Sequence, residues 1–388
     1  MSEAQLQELL DIMLERSQSV VEEYLIKMGE QIQQIGELIP SSVNRLVQME
    51  RMNANLDGIK KEIARLAEIS AADLEKVFEA AAESDVRFAA KTFGNEFRKP
   101  ILESPELQQI IKAQYEITLG DMANLSQTTI EADAYRNAID KAIQTVQTGI
   151  EDYQSAMRRA LREAAEIGLR VKIPGTNVYE LRAGYTGKYS RRLDSAVRQN
   201  VLDGVRSLSN KVMDHMAEKF GANGWEISAH RLCATDHLPY QGGQYGFNEF
   251  ELIQARLKRK FFTWHCKHSK HPIKLGISRP AYSEEQLQSY KDFSEEKIDI
   301  GGTVKNRYEW TQEQRAIERA IRRQKDVGIA AKAAGDSVLR RDAQRSINAL
   351  MERYRAVSEK AGIKPDYSRT RVEGFREMTK KQMDAVKK

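Results

Sequence analysis

The sequence predicts a mainly α-helical protein of the α+β class, in which long helices surround a small mixed core with short β-hairpins. Apolar residues recur every three or four positions through most of residues 1–168, which is the spacing of one buried helix face. The period shortens to two at Leu169 and again at Trp225, as expected for short strands. These changes of period predict an acidic helical region over residues 1–168, an α+β domain over 169–302 and a basic helical tail over 303–388.

The amino-terminal region is predicted to contain several long helices. The first apolar stripe ends at Pro40, which cannot continue a helix. Ser70 is predicted as the N-cap of a new helix, with Asp73 near the N3 position. The polar residues 119–129 predict a connection, and regular apolar spacing then predicts one long helix over residues 130–168.

The middle of the chain is predicted to begin with a hairpin and a helix. Residues 170–173 alternate in polarity and precede the turn residues 174–177, so a hairpin with residues 178–181 is expected. A helix is predicted over residues 189–220, because Gly221 follows it as a stop signal.

Local patterns predict further elements towards the carboxyl terminus. Residues 225–229 read as a strand, residues 241–244 as a tight hairpin turn, and residues 261–264 as a short aromatic strand. Residues 311–314 have the pattern of a capping box, and the helical tail is expected to be interrupted near Gly328 and Gly335.

Charge is divided unevenly along the chain. Residues 1–150 carry 15 Lys and Arg against 25 Asp and Glu, whereas residues 151–388 carry 46 against 31. An excess of cations in the second half suggests a polyanion, such as nucleic acid, as its neighbour. The alternative is that Lys and Arg only solvate helix faces.

The densest basic run covers residues 252–279, which hold eight basic residues and no acidic one. Cationic side chains neutralise phosphates, and the interleaved Phe261, Phe262 and Trp264 could stack on exposed bases. Burial in a core is the commoner fate of such aromatic side chains. No sequence-reading motif is visible, so we expect non-specific contact. The predicted contact residues are Arg256, Lys258, Arg259, Lys260, Lys267, Lys270 and Lys274.

Histidine and cysteine are concentrated in one segment. Five of the six histidines and both cysteines lie between His230 and His271. Zinc binds His and Cys in tetrahedral sets, usually as two pairs from separate loops. The spacing matches no standard zinc finger, and the alternative is a set of histidines hydrogen-bonded within a small polar core. The predicted zinc ligands are His230, His237, Cys266 and His268.

Catalysis by the same segment is an alternative interpretation. Asp236 and His237 beside Cys233, or His230 with Glu226, could form acid–base pairs. The sequence contains no phosphate-binding loop, dinucleotide fingerprint or hydrolase elbow. An enzymatic role is therefore not predicted, and no catalytic or cofactor-binding residue is assigned.

Composition excludes other classes. No run approaches the roughly 18 apolar residues that span a bilayer, and no signal peptide or membrane partner is predicted. Two cysteines are too few for a disulfide framework, so a reducing compartment is expected.

Five segments in order carry a resemblance to a known family. L-S-Q-T-T at residues 125–129 resembles N-L-T-x-T-T, and V-Q-T-G with Tyr153 resembles V-x-S-G-x-x-x-Y. W-E-I-S-A-H at residues 225–230 is similar to V-E-I-S-A-H. Residues 236–245 are similar to P-x-H-x-x-W-Q-G-x-x-Y, and residues 264–278 to W-N-C-R-H-S-F-x-P-x-x-x-G-I-S. The family is the phage minor capsid protein 2 type, related to the head-morphogenesis proteins of the phage Mu F class.

The resemblance implies a structural minor head protein of a tailed phage. It would be synthesised in the host cytoplasm and lie inside the head near the portal vertex. Its implied partners are the portal protein, other capsid or scaffold proteins and double-stranded DNA, in head assembly or in genome packaging and delivery. The alternative is an internal protein, ejected with the genome, that cleaves or binds nucleic acid in the host. The segment containing Cys233 departs from the family pattern, which argues against an essential role for that thiol.

Overall fold

The computed structural model describes residues 3–35, 42–127, 137–138, 141–142, 145, 150–173, 189–263 and 266–386. Within these ranges the chain is mainly helical with three small antiparallel sheets, which confirms the predicted class. The helices are α1 (Glu3–Ile35), α2 (Ser42–Phe93), α3 (Arg98–Leu102), α4 (Pro105–Gln127), α5 (Tyr153–Ile167), α6 (Leu193–Phe220), α7 (Phe247–Arg256), α8 (Glu284–Glu295), α9 (Arg307–Ala333), α10 (Ser337–Lys360) and α11 (Lys380–Ala385). The strands are β1 (Arg170–Ile173), β2 (Tyr189–Arg192), β3 (Gly224–Ile227), β4 (Gln244–Gly246), β5 (Lys270–Ile273), β6 (Lys297–Ile300) and β7 (Thr303–Asn306).

Helix α2 is continuous over 52 residues, so the helix start predicted at Ser70 is wrong. Ile59 and Ile63 before Ser70, and Leu74 and Val77 after it, are all buried. The 11 positions from Ile63 to Leu74 correspond to about three helical turns, so the apolar stripe keeps the same face. A cap-type residue without a break in this stripe does not start a new helix.

Long helices pack closely where glycines allow it. A Cβ atom on Gly204 of α6 would lie 2.2 Å from Oγ1 of Thr118 on α4. A Cβ atom on Gly29 of α1 would lie 2.5 Å from the main-chain oxygen of Ala330 on α9. The glycine at each position therefore permits a contact that any other residue would obstruct.

Two predicted boundaries before residue 168 differ from the structure. Residues 119–127 belong to α4, and buried Met122 and Leu125 extend its apolar face. The helix predicted over 130–168 is interrupted at residues 150–152. Asp152 caps α5 there, because its carboxylate accepts a hydrogen bond from the Ser155 N–H at 3.0 Å.

Strand β1 pairs with β2 in an antiparallel ladder that matches Val171 with Arg191. Tyr189 therefore begins a strand, and the helix predicted to start there begins at Leu193 instead. The predicted partner strand, residues 178–181, lies outside the described residues.

The second sheet has the order β4–β3–β5, and Trp225 of the central strand pairs with both Tyr245 and Pro272. The strand predicted at residues 225–229 is confirmed at this position. The turn at 241–244 does not close a tight hairpin, because residues 228–243 form one long connection between β3 and β4.

The aromatic strand predicted at residues 261–264 is wrong over its described part. Residues 261–263 form a turn, and Phe262 has a positive φ of 65°. Buried Phe261 turns inwards here, which satisfies the apolar pattern without a strand. Trp264 lies outside the described residues.

Helices α9 and α10 form an antiparallel pair, and the β6–β7 hairpin directly precedes α9 in the chain. Asn306 is the true N-cap of α9, with Glu309 completing the capping box, so the start predicted at 311–314 is wrong. Helix α9 continues through Gly328, which packs against Phe375, and ends before Gly335 at φ 68°.

Residues of all three predicted regions contribute to one apolar core. Leu25 of α1, Leu161 of α5, Val212 of α6 and Ala330 of α9 belong to the same cluster of buried side chains. The division of the chain into three regions, with boundaries after residues 168 and 302, stays a prediction from the sequence. None of the described helices is both long and apolar enough to cross a membrane.

Candidate metal centre and basic surface

Two loops carry the candidate site, and the β3–β5 pairing brings them together. The first loop covers residues 228–243 and the second covers residues 257–269. The Ser228 N–H donates to the Ser269 carbonyl at 2.9 Å, and the Ser269 N–H donates to Ser228 Oγ at 2.8 Å. These bonds extend the strand contact and fix the two loop ends side by side.

Three histidines and two cysteines converge between these loops, and this group is called the His/Cys cluster: His230, Cys233, His237, Cys266 and His268. His268 is its centre. Its Nδ1 atom lies 3.3 Å from the Cys266 sulfur, and its Nε2 atom lies 3.5 Å from the Cys233 sulfur. The Cys266 sulfur is also 3.7 Å from His237 Nδ1. Two triads of donor atoms thus share one imidazole.

Hydrogen bonds to main-chain carbonyl groups fix the tautomers of two imidazoles. A carbonyl oxygen can only accept, so His237 Nε2 donates to Arg259 O at 2.7 Å and His230 Nδ1 donates to Arg231 O at 2.8 Å. The Nδ1 atom of His237 and the Nε2 atom of His230 are then left with lone pairs. The His230 Nε2 atom is buried and has no hydrogen-bond partner among the described residues.

Burial keeps the cluster uncharged in the absence of a metal ion. Desolvation lowers the pKa of His268 to about 3, and it also lowers the pKa of His230 and of His237. Desolvation raises the pKa of the Cys233 thiol to about 12. It also raises the pKa of Cys266, although main-chain N–H groups of His268 and Phe262 oppose this effect.

The proposed acid–base pairs do not have the geometry that the sequence suggested. The Glu226 carboxylate accepts hydrogen bonds from the Gln244 side chain and from the Ala281 N–H, both at 2.8 Å. Asp236 accepts from Arg259 at 3.1 Å and lies 3.9 Å from His237 Nε2. Both carboxylates therefore stabilise the local structure through hydrogen bonds or an ion pair.

The remaining histidines of the segment lie elsewhere. His271 on β5 is within hydrogen-bonding distance of Ser269 Oγ at 3.1 Å and packs against Phe88 of α2. His265 lies outside the described residues.

The seven predicted nucleic-acid contacts differ in their environment: two are paired within the fold, one is half-buried and four are exposed. Arg259 pairs with Asp236, and Lys270 pairs with Asp214 while lying 4.3 Å from the Trp225 ring centroid. These two cations are neutralised within the fold. Lys260 is half-buried, and the exposed members of the set are Arg256, Lys258, Lys267 and Lys274.

Sequence reasoning missed a convergence of cations around Lys267. Desolvation lowers the pKa of Lys267, and nearby Arg315, Arg369 and Arg206 lower it further. The pKa of Arg319 is likewise lowered by desolvation and then by neighbouring guanidinium groups. We call this set the basic surface: Arg206 of α6, Lys267, Arg315, Arg319 and Arg323 of α9, and Arg369. Its members are separated by up to 163 positions in the sequence, so no local signal could have grouped them.

Comparison with known proteins identifies the family to which this chain belongs. The model of a family of phage head proteins, described as phage minor capsid protein 2, matches residues 1–357 of the 388-residue chain. The chain belongs to the phage minor capsid protein 2 family, so it is a minor capsid protein and a component of the virion. No curated protein and no solved structure matches the chain.

Proposed function

We propose that this minor capsid protein lies at the portal vertex, where its basic surface faces packaged DNA and its acidic helices contact protein. The observation that supports DNA contact is the convergence of cations from α6, the second loop, α9 and the segment after α10. Family membership supports the capsid location, and the proposal adds an orientation and a partner for each face.

The basic surface keeps cations close together at a cost in self-repulsion. Arg315 and Arg369 both pair with the buried Glu318 carboxylate, at 3.0 and 3.2 Å. One carboxylate between two guanidinium groups leaves a net positive charge beside exposed Lys267 and Arg319. Bound phosphates would relieve this repulsion and release counterions, which is the main source of non-specific affinity for DNA.

The acidic helices supply the opposite face. Residues 1–150 carry ten more acidic than basic residues. This excess would repel DNA phosphates, so the proposal assigns this half to protein contacts, with the portal protein as the first partner to test.

A salt titration tests DNA contact. Lys267, Arg319 and Arg323 are exposed, so replacing all three with Ala should leave the fold intact. The slope of log K against log salt for duplex DNA should fall by about 0.9 for each phosphate that the variant no longer neutralises. The matched control replaces exposed Lys297, Lys360 and Lys364, which lie outside the basic surface.

The control variant should keep the wild-type slope. Equal slopes for both triple variants would contradict the proposed DNA-facing surface. Chelator-sensitive cleavage of the DNA would instead support the ejected-enzyme alternative.

Crosslinking of intact particles tests the orientation. We expect residues of α1 and α2 to crosslink to portal protein, and residues of α9 to crosslink to DNA. Crosslinks from both faces to the major coat protein alone would contradict the portal-vertex location.

A further inference from the structure

The His/Cys cluster contains the donors of a zinc site in an arrangement that hydrogen bonding has already oriented. Each cluster triad has its donor atoms within 4.8 Å of one another. A tetrahedral zinc ion with Zn–N of about 2.0 Å and Zn–S of about 2.3 Å separates its ligand atoms by about 3.3–3.8 Å. The observed contacts of His268 and His237 with Cys266, at 3.3 and 3.7 Å, fall in this range.

The outer hydrogen bonds are those that metal-bound imidazoles make. A histidine ligand commonly donates its second ring N–H to a main-chain carbonyl or another oxygen, which fixes the tautomer. His237 does so to Arg259 O at 2.7 Å. His268 Nε2 lies 3.4 Å from the Gln241 side-chain oxygen, which leaves its Nδ1 atom facing Cys266.

His230 belongs to the other triad, with Cys233 and His268. The Cys233 sulfur lies 3.5 Å from His268 Nε2, whereas the Cys266 sulfur lies 3.3 Å from His268 Nδ1. The group of His237, Cys266 and His268 is therefore on the Nδ1 side of the shared imidazole, and His230 and Cys233 are in the triad that includes its Nε2 side.

The two cysteines are not equivalent. The Cys233 thiol donates to the Ala234 carbonyl at 3.3 Å, so its proton already has an acceptor. The Cys266 sulfur lies 3.3 Å from His268 Nδ1 and 3.7 Å from His237 Nδ1, so it is the sulfur that faces two imidazole nitrogens. Imidazole nitrogen with thiolate sulfur, and no carboxylate in either triad, favours zinc over magnesium or calcium.

We propose that His237 Nδ1, His268 Nδ1 and Cys266 Sγ bind one zinc ion that joins the loops 228–243 and 257–269. The ion has a structural role, because the described residues of both loops lack regular secondary structure around the cluster. Cys233 lies beside the site and is not a ligand.

The full-length protein, purified without added chelator, provides the first test. We expect about one zinc ion per chain by elemental analysis, and a dissociation constant of about 10 nM or tighter after removal and titration. Cobalt substitution should give a visible d–d spectrum of tetrahedral intensity and a thiolate-to-cobalt charge-transfer band. A wild-type protein that folds but binds neither metal would overturn the proposal without any variant.

Matched substitutions then test the ligand set. Cys266→Ser should abolish the charge-transfer band and weaken zinc binding by at least roughly tenfold, whereas Cys233→Ser should preserve both. His237→Ala should also lose binding. His215→Gln, on α6 and outside the cluster, is the histidine control and should bind as wild type.

The reverse pattern would overturn the assignment. If Cys233→Ser abolishes the charge-transfer band while Cys266→Ser keeps it, the ion binds on the other side of His268. Gln241→Ala tests the positioning role of the amide, and we expect affinity to fall by about 10–100-fold with an unchanged cobalt spectrum. An unchanged affinity would exclude that role.

Discussion

Substitution of Asp326 tests whether the carboxyl-terminal helices are part of the same cooperative unit as the rest of the chain. Asp326 on α9 is fully buried and pairs with Arg192, which ends β2. Arg192 also contacts Asp194 at 3.3 Å, and Asp194 contacts Arg322 at 3.3 Å. The four charges balance within the fold and join the start of α6 to α9.

Asp326→Ala would leave this group with one uncompensated positive charge. Removing one partner of a buried pair typically costs about 3–5 kcal/mol, because the other charge stays desolvated. The same pair replaced by apolar residues, Arg192→Met with Asp326→Leu, leaves Asp194 and Arg322 balanced. We expect this double variant to cost less than about 1 kcal/mol, or to be stabilised.

Urea unfolding followed by far-ultraviolet circular dichroism measures both effects. We expect Asp326→Ala to lower the midpoint of a single transition and the double variant to restore it. Asp299→Ala, at an exposed position of β6 beside the turn that leads to β7, is the control and should change stability by no more than about 1 kcal/mol. A destabilisation below about 1 kcal/mol for Asp326→Ala would refute the reasoning. Two separate unfolding transitions, of which only the second shifts in Asp326→Ala, would also refute it.

Two further predictions concern a pH dependence and a helix contact. Desolvation raises the pKa of Asp85 from 3.8 to about 6, despite a hydrogen bond from Ser209 Oγ at 2.6 Å. The charged form is disfavoured in the fold, so the stability that this group contributes is present at pH 4 and is lost as pH rises through about 6. Asp85→Asn at this half-buried site should therefore raise the free energy of unfolding by about 1–2 kcal/mol at pH 8 and leave it unchanged at pH 4. Thermal unfolding at the two pH values measures the difference. An equal gain at both pH values would contradict the pKa shift. Gly29→Ala should destabilise by about 1–3 kcal/mol, because its Cβ would meet the rigid main chain of α9. Gly120→Ala, in α4 with open space around it, should instead stabilise by about 0.5–1 kcal/mol, and equal effects of the two would refute the packing argument.

The sequence predicted which segments are helical better than it predicted where they end. Apolar period alone located α1, α2 and α6, since burial of one face dominates helix stability. It failed where a local polar pattern suggested a boundary, as at Ser70 and Thr311, because both positions lie within an unbroken stripe. The true cap at Asn306 was overlooked because Asn306 is also the last residue of β7.

The candidate site was predicted in its composition but not in its arrangement. The supply of histidine and cysteine was visible, whereas the two triads around His268 depend on the β3–β5 register. The basic surface could not be predicted at all from local runs. Two cations of the densest run, Arg259 and Lys270, are neutralised in the fold, and Arg315, Arg319 and Arg369 come from distant segments.

The proposed metal site and the proposed DNA-facing surface meet at one residue. Cys266 and His268 are buried, while Lys267 between them is exposed on the basic surface. An ion that holds Cys266 and His268 would therefore also fix the main chain that carries Lys267. Removal of zinc should reduce the salt slope for DNA by about one phosphate contact even if the helices stay folded. Lys267→Ala should make the protein insensitive to this removal, because the variant has no cation at this position to misplace. If zinc removal changes the slope equally in the wild type and in Lys267→Ala, the two sites are not coupled through this loop.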